Sequence, residues 1–281
     1  MESVNQKKVH KILDRPILST ILLLVFAVVL TGVLQLPKYF LWGTDINGTM
    51  QYLYDIAESF VLLLAAELIF TKVWFKGEFE GTLKGDLGYG FRLLIPVLVV
   101  EIVIFVFERI IGVGNLNNIL FVLSLSVTAG IVEEVTFRSL VVANLMRIAK
   151  TYKGMITTVA ATSLIFGAVH MTNLLQGANL GSTISQLFSA TIMGIFFAAV
   201  YLACGSILPA MALHFLNDVF ALLFLKINES GATTEGVTLL STVENLLLDL
   251  VLLVIAFGLL RPGNYEKIRR VWDEKWSISS K

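Results

Sequence analysis

The chain has 281 residues, of which 56% are hydrophobic and only 15% are charged. Soluble domains contain about 25% charged residues, so this composition indicates a protein that places much of its apolar surface in a lipid bilayer. The formal net charge of +0 excludes the basic field of a nucleic-acid-binding protein, and the single cysteine, Cys204, excludes a disulfide framework and a Cys-rich metal site.

Eight apolar runs follow one another along the chain. A bilayer core about 30 Å thick requires about 20 mostly apolar helical residues, so each run is a candidate membrane span. In chain order the runs cover residues 17–36, 52–75, 91–107, 119–143, 155–172, 183–204, 207–225 and 246–260. The sequence therefore predicts an all-α, polytopic helical bundle with about eight transmembrane helices, and residues 1–281 form a single integral membrane domain.

The distribution of Lys and Arg predicts the orientation of the bundle. An even number of crossings places both termini on one side, and most of the 21 Lys and Arg residues fall on that side. Cytoplasmic loops carry such a positive excess, so both termini are predicted to be cytoplasmic. The short loops favour a bacterial cell membrane. Residues 261–281 mix basic residues with Trp, which predicts a cytoplasmic basic and aromatic tail that lies as an amphipathic helix on the membrane surface.

Ionisable residues inside a span are costly unless they are paired or face water, so they indicate function. The fourth run contains Glu133, Glu134 and Arg138. Glu134 and Arg138 are four residues apart on one helical face, which predicts an ion pair. Glu133 is rotated from Glu134 by about 100° and is left free. Glu101, in the third run, is expected to line a cavity or to pair with Arg138.

Two further runs contain histidine. Phe166 and His170 share a face of the fifth run, and His214 shares a face of the seventh with Asn217 and Asp218. Each of these histidines has a structural alternative, because polar side chains in spans often form interhelical hydrogen bonds. Glu133 is harder to explain structurally, since its own helix offers no basic partner on its face.

This set of side chains is suited to hydrolysis. A desolvated glutamate is a competent general base near neutral pH and can take a proton from water. Imidazole can orient that water or donate to a developing oxyanion, with help from Asn217 or a protonated Asp218. No Ser or Cys is placed with a base partner in the same way. Direct attack by water on an acyl bond, most naturally a peptide bond, is therefore preferred to an acyl-enzyme.

At these residues the chain resembles the CPBP family of intramembrane proteases, which includes the type II CAAX prenyl proteases and the bacteriocin-processing or bacteriocin-immunity (Abi) proteins. Its motifs E-E-x-x-x-R, F-x-x-x-H and H-x-x-x-N/D are matched in order over residues 116–220, the expected protease core. The matching residues are Glu133, Glu134 and Arg138, then Phe166 and His170, then His214 and Asp218.

The resemblance implies a role for each motif residue. Glu133 would activate water together with His170, while His214 and Asp218 would hold the oxyanion or the scissile carbonyl. The implied supporting residues are Glu134, Arg138, Phe166 and Asn217. Eukaryotic CAAX enzymes usually have asparagine where this chain has Asp218, so the oxyanion partner is either Asp218 or the neighbouring Asn217.

Other functions stay open at this point. No cofactor is favoured, but a zinc-dependent variant of the same protease would use Glu133, His170 and His214 as ligands. This variant ranks lower because no H-E-x-x-H helix is present. A non-proteolytic immunity or membrane adaptor protein would use the same site to bind a peptide. A transporter is disfavoured because no inverted repeat is evident. The expected partners are the lipid bilayer and a membrane-associated peptide or protein substrate, with no nucleic acid.

Overall fold

The computed structural model describes residues 15–42, 48–75, 78–108, 116–228 and 234–276. Within these ranges the regular structure is helical throughout, which confirms the predicted all-α class for the described residues. The α-helices are α1 Pro16–Trp42, α2 Thr49–Leu68, α3 Leu87–Glu108, α4 Leu116–Glu134, α5 Ala143–Met146, α6 Tyr152–Val169, α7 Leu180–Cys204, α8 Leu208–Asn228, α9 Thr234–Leu260 and α10 Tyr265–Lys275.

Four shorter segments interrupt or extend these helices. Two are π-helical, here named π1 (Ile69–Trp74) and π2 (Val135–Val142), and two are 3₁₀-helical, His170–Gln176 and Pro262–Asn264. A helix occupies each of the eight predicted runs, with α4, π2 and α5 continuous through the fourth. The apolar pattern therefore located the long helices of the described residues, although α9 begins at Thr234, well before the predicted run 246–260.

Four helical segments in the described part of the chain are long and apolar enough to cross a membrane. They are Ile17–Leu41, Ile119–Met146, Tyr152–Leu175 and Leu180–Cys204. A fifth candidate is the pair Asn245–Leu260 and Pro262–Lys275, which is bent by 54°. The molecule is thus an integral membrane protein, while eight crossings and cytoplasmic termini stay predictions.

Large apolar side chains cover the outside of the bundle. Val28 is 72% exposed, Phe188 63% and Phe257 65%, and many neighbouring Leu, Ile and Val side chains are more than half exposed. A water-soluble monomer rarely exposes a contiguous apolar surface of this kind. A lipid environment accounts for it, because the exposed side chains then contact acyl chains instead of water.

Helix α7 forms the centre of the fold. Its residues 196–202 are 0% exposed, and α6, α8, α9 and α10 all pack against it. Glycines allow the motif-bearing helices to approach closely, as small residues do in membrane bundles. A Cβ atom on Gly130 of α4 would lie 3.2 Å from Phe215 N of α8, and one on Gly194 of α7 would lie 3.0 Å from Ser163 Cβ of α6.

The tail helix α10 packs on protein, which corrects the expectation that its apolar face lies on the membrane surface. Ile268 is 2% and Trp272 0% exposed. Arg269 Nη1 donates to Met146 O (3.0 Å) and Ala149 O (3.1 Å), and Trp272 Nε1 donates to Leu202 O (3.2 Å). An amphipathic pattern cannot distinguish a lipid partner from a protein partner. Residues 277–281 of the predicted tail lie outside the described residues.

The segment between π1 and α3 ties several helices together through Thr82. Thr82 donates to Glu67 from its backbone N (2.8 Å) and from its hydroxyl (2.6 Å). Because that hydroxyl hydrogen is used, the hydroxyl of Ser139, 3.0 Å away in π2, must be the donor to Thr82. Ile207 N donates to Thr82 O (2.9 Å), so the same residue also fixes the turn between α7 and α8.

Candidate active site

The two adjacent glutamates stand where α4 ends and π2 begins. Glu134 is the last residue of α4, and Arg138 lies within π2. A π-helical turn has a wider hydrogen-bonding repeat than an α-helix and occurs often at functional sites. The sequence predicted an uninterrupted helix here, since apolar periodicity carries no signal that separates a π-turn from an α-turn.

The predicted ion pair between Glu134 and Arg138 is present. Arg138 Nη1 lies 2.8 Å from Glu134 Oε1, and the two side chains are 2% and 0% exposed. Arg138 Nη2 also donates to Gly194 O of α7 at 3.2 Å. The guanidinium group thus links two helices. The alternative expectation that Glu101 pairs with Arg138 is wrong, because among the ion pairs of the described residues Arg138 is joined to Glu134 and not to Glu101.

Two phenylalanines enclose the charged pair. The Arg138 guanidinium lies 4.5 Å from the Phe166 ring centroid and 5.4 Å from that of Phe197, distances typical of cation–π contacts. Phe197 stacks on His214 at 5.1 Å. Phe166 meets His170 at 5.5 Å and His214 at 6.0 Å, in both cases edge to face. Phe166 therefore contacts residues of all three motifs, a role that its sequence position alone did not reveal.

His214 connects the buried ion pair to the two more accessible carboxylates. Its Nδ1 lies 3.0 Å from Glu134 Oε1. An ionised carboxylate only accepts hydrogen bonds, so Nδ1 carries a hydrogen and donates it. Its Nε2 then faces Glu133 Oε2 at 3.7 Å and Asp218 Oδ2 at 3.7 Å. Arg138, Glu134 and His214 form a chain in which each member orients the next.

Exposure separates these groups into an inner and an outer set. The side chains of Glu133 and Asp218 are 30% and 25% exposed, whereas that of His214 is 6% exposed. The buried chain of Arg138, Glu134 and His214 thus supports two carboxyl groups that a substrate or water molecule can reach. This arrangement agrees with the expectation that Glu133 is free of the arginine.

His170 stands at the edge of the site. It is the first residue of the 3₁₀ segment after α6 and is half-buried. It contacts Phe166 and lies within electrostatic range of His214 and Asp218. Among the ion pairs of the described residues, Glu133 is joined to His214. A joint action of Glu133 and His170 therefore requires a bridging water or substrate.

Asp218 and Asn217 differ in their contacts. Asp218 lies beside His214 Nε2, whereas Asn217 Nδ2 contacts Met193 Sδ at 3.7 Å. Of the two residues that the sequence offered as oxyanion partner, Asp218 is the one next to His214.

Glu101 of α3 joins the site from outside the motifs. It is 6% exposed, and Asp218 is its charged neighbour. The sequence showed only that a carboxylate lay in the third apolar run, and the packing of α3 against α8 brings it here.

Glu133, His170 and His214 are the side chains that the sequence offers as zinc ligands. Within the described ranges, no three or more His, Cys, Asp or Glu side chains are arranged to hold a metal ion. The residues present therefore do not form a zinc site as they stand.

The comparison with known protein families agrees with this geometry. Residues 115–220 match the family model described as Rce1-like, type II CAAX prenyl endopeptidase. No curated protein and no solved structure gives a significant match. The matched segment contains the residues of all three motifs, from Glu133 to Asp218. This segment is similar to the Rce1-like family of type II CAAX prenyl endopeptidases, and the match covers fewer than half of the 281 residues.

Proposed function

We propose that this protein is an intramembrane endopeptidase that hydrolyses a peptide bond in a membrane-associated protein or peptide, with water activated by Glu133. The similarity of residues 115–220 to the Rce1-like family of prenyl endopeptidases supports the reaction class. The observation that carries the mechanism is the position of His214, whose Nδ1 contacts Glu134 at 3.0 Å while its Nε2 faces Glu133 at 3.7 Å.

The first step forms the tetrahedral intermediate. A water molecule held by Glu133 and His170 transfers a proton to the Glu133 carboxylate, and its oxygen attacks the carbonyl carbon of the scissile peptide. The partial exposure of Glu133 gives water access to its carboxylate, which can then act as the general base.

The second group of residues stabilises the negative charge on the carbonyl oxygen. A protonated His214 Nε2 donates to this oxyanion, and a protonated Asp218 is the second donor. Glu134 keeps the His214 ring in position through Nδ1, and Arg138 neutralises Glu134. Oriented donors of this kind need no rearrangement as the charge develops.

The last step breaks the carbon–nitrogen bond. The intermediate collapses to a carboxylic acid, and the departing nitrogen takes the proton that Glu133 accepted from water. The carboxylate of Glu133 is regenerated, so one water molecule is consumed for each peptide bond cleaved and no covalent enzyme intermediate forms.

The substrate class follows from the family. The family description names CAAX prenyl endopeptidases, so we propose a peptide that carries a prenylated cysteine three residues before its C-terminus as the first probe. Such a lipid-modified peptide partitions into the bilayer beside the bundle. An unmodified apolar peptide of the bacteriocin type is the second probe. We further propose eight crossings with cytoplasmic termini in a bacterial cell membrane.

The test uses the purified full chain in detergent or proteoliposomes. Glu133→Gln preserves the shape of the side chain but removes the base, so cleavage of the prenylated peptide should fall to background. Asp249→Asn is the matched control, because Asp249 is a buried carboxylate in α9 that bonds Ser189 and lies outside the motifs. Full cleavage by Glu133→Gln would overturn the mechanism.

Two further measurements address the alternatives. Metal analysis and activity in excess chelator test zinc assistance, since a loss of cleavage on chelation that zinc restores would require a metal in the mechanism. Protection of cells against a membrane-active peptide tests an immunity role. Protection that survives Glu133→Gln, with no cleavage by the wild type, would favour peptide binding without proteolysis.

A further inference from the structure

The π-helical segment π2 carries the arginine of the first motif in an unusual backbone geometry. Arg138 and Ser139 are consecutive residues of π2, and they are 2% and 1% exposed. A π-helical turn is rare and occurs mostly as a single turn within an α-helix. Such a turn persists where contacts from outside the helix hold it, so the contacts of Ser139 bear directly on where the Arg138 guanidinium lies.

Ser139 hydrogen-bonds to a residue outside its own helix. Its hydroxyl oxygen lies 3.0 Å from that of Thr82, which gives its own hydrogen to Glu67 Oε2 at 2.6 Å. Ser139 is therefore the donor in this contact. Both hydroxyl-bearing residues are buried, with Thr82 at 0% exposure. A buried hydroxyl that loses its partner costs free energy, so this bond favours the one arrangement of π2 in which Ser139 reaches Thr82.

Thr82 is firmly anchored by its other contacts. Its backbone N donates to Glu67 Oε1 of α2 at 2.8 Å, and its carbonyl accepts from Ile207 N at 2.9 Å. The neighbouring carbonyl of Gly81 accepts from Lys275 Nζ of α10 at 2.7 Å. Because these bonds use both backbone groups and the hydroxyl hydrogen of Thr82, this residue is a fixed point to which π2 is attached.

On the other side of Ser139, the same segment leads to the candidate active site. Arg138 Nη1 lies 2.8 Å from Glu134 Oε1, and that oxygen lies 3.0 Å from His214 Nδ1. A shift of π2 would move the guanidinium away from Glu134. The Glu134 carboxylate would then lose the counter-charge that holds it beside His214.

Neither Ser139 nor Thr82 belongs to the three motifs. We propose, on the basis of the function proposed above, that Ser139 is a positioning residue whose hydrogen bond to Thr82 fixes π2. Through Arg138 and Glu134, this bond keeps the His214 ring oriented toward the substrate.

The experiment measures kcat and KM for cleavage of the prenylated peptide by the full chain. Ser139→Ala removes the donor with little change in volume. Its kcat should fall by about tenfold or more while KM changes by less than about twofold, because misplaced catalytic groups weaken transition-state contacts more than substrate binding.

Ser59→Ala is the matched control. The Ser59 hydroxyl is also buried, and it donates to Thr128 Oγ1 at 3.1 Å, a hydroxyl pair that joins α2 to α4 away from π2. The two substitutions should lower the thermal unfolding midpoint by similar amounts, but Ser59→Ala should keep the wild-type kcat. A role of Ser139 in stability alone would give the same kcat in both variants.

A double-mutant cycle tests whether the effect passes through Thr82. Thr82→Val removes the acceptor, so adding Ser139→Ala to it should cause no further loss of kcat, while Thr82→Ser keeps the hydroxyl and should stay near wild type. Wild-type kcat in Ser139→Ala would overturn the inference, as would an equal loss in Ser59→Ala or an undiminished loss in the Thr82→Val background. A wild type that cleaves no peptide would instead contradict the proposed function, and with it the role assigned to Ser139.

Discussion

His214 shows how one side chain can depend on several others. Glu134 fixes its tautomer, Phe197 supports its face, and Phe166 meets it edge-on. Its pairing with Glu134 joins residues 80 positions apart in the chain. The i,i+4 spacing allowed the Glu134–Arg138 pair to be predicted, but no local pattern could show that the same carboxylate also binds His214, because that contact depends on how α4 and α8 pack.

The buried charge pair should dominate local stability. Arg138→Met leaves Glu134 without its counter-charge at 0% exposure, so the free energy of unfolding should fall by about 3–5 kcal/mol. Arg92→Met is the control, because Arg92 is exposed and bonds only the carbonyl of Gly88 in its own helix. Unfolding in detergent compares the two. Equal stability of both variants would show that Glu134 does not rely on Arg138.

The contacts of Asp218 and Asn217 predict unequal effects on catalysis. Asp218→Ala removes a group beside His214 Nε2 and should lower kcat by about 10²–10³-fold. Asn217→Ala removes a weak sulfur contact, so its effect should be at least about tenfold smaller. Steady-state kinetics on the same peptide distinguishes them, and a larger effect at Asn217 would reverse the assignment.

Among the helices, the close packing of α6 against α7 positions the second-motif residues Phe166 and His170. A Cβ atom on Gly167 would overlap Thr191 Oγ1 and lie 2.6 Å from Leu187 O of α7. Gly167→Ala should therefore push α6 away, cost about 1–3 kcal/mol and reduce cleavage by moving Phe166 and His170.

A second glycine serves as the control for this helix contact. Gly258 of α9 has nothing within 4 Å of an added Cβ, so Gly258→Ala should be neutral or stabilise by up to about 1 kcal/mol. Thermal unfolding and cleavage rates are measured for both variants. A neutral Gly167→Ala would mean that the close approach of α6 and α7 is not required.

Helix positions were more predictable than helix details. The apolar runs located the long helices of the described residues because a span must be apolar for about 20 residues. They did not give π2, since hydrogen bonds such as that between Ser139 and Thr82 come from distant parts of the chain. They also did not give the docking of α10, whose inward-facing Arg269 and Lys275 look like surface charges in the sequence.

On the scale of the whole molecule, the tail closes the bundle through Lys275. Its Nζ donates to Gly81 O and Lys84 O, both at 2.7 Å. Burial lowers the pKa of Lys275 to about 8, although the charges of Glu80 and Glu67 act in the opposite direction. A neutral amine still has two N–H groups, so both contacts survive deprotonation.

This pKa predicts the pH dependence of stability. Between about pH 8 and the ordinary lysine value of 10.5, the unfolded chain binds more protons at Lys275 than the folded protein does, so the free energy of unfolding rises with pH across that window. Unfolding at about pH 7.5 and about pH 9.5 measures the rise, and Lys275→Met should lack this part of it. The same rise in both proteins would assign it to other groups.

The tail contacts also bear on how small a working protein can be. Main-chain carbonyls at Met146, Ala149 and Leu202 receive their donors from Arg269 and Trp272, far beyond residue 220. In an excised fragment limited to residues 115–220, these carbonyl oxygens would lose their hydrogen-bond donors. The faces of α4 and α7 that other helices now cover would also become exposed. The motif segment alone therefore lacks contacts that the fold uses, and we expect the smallest stably folded fragment to include α10.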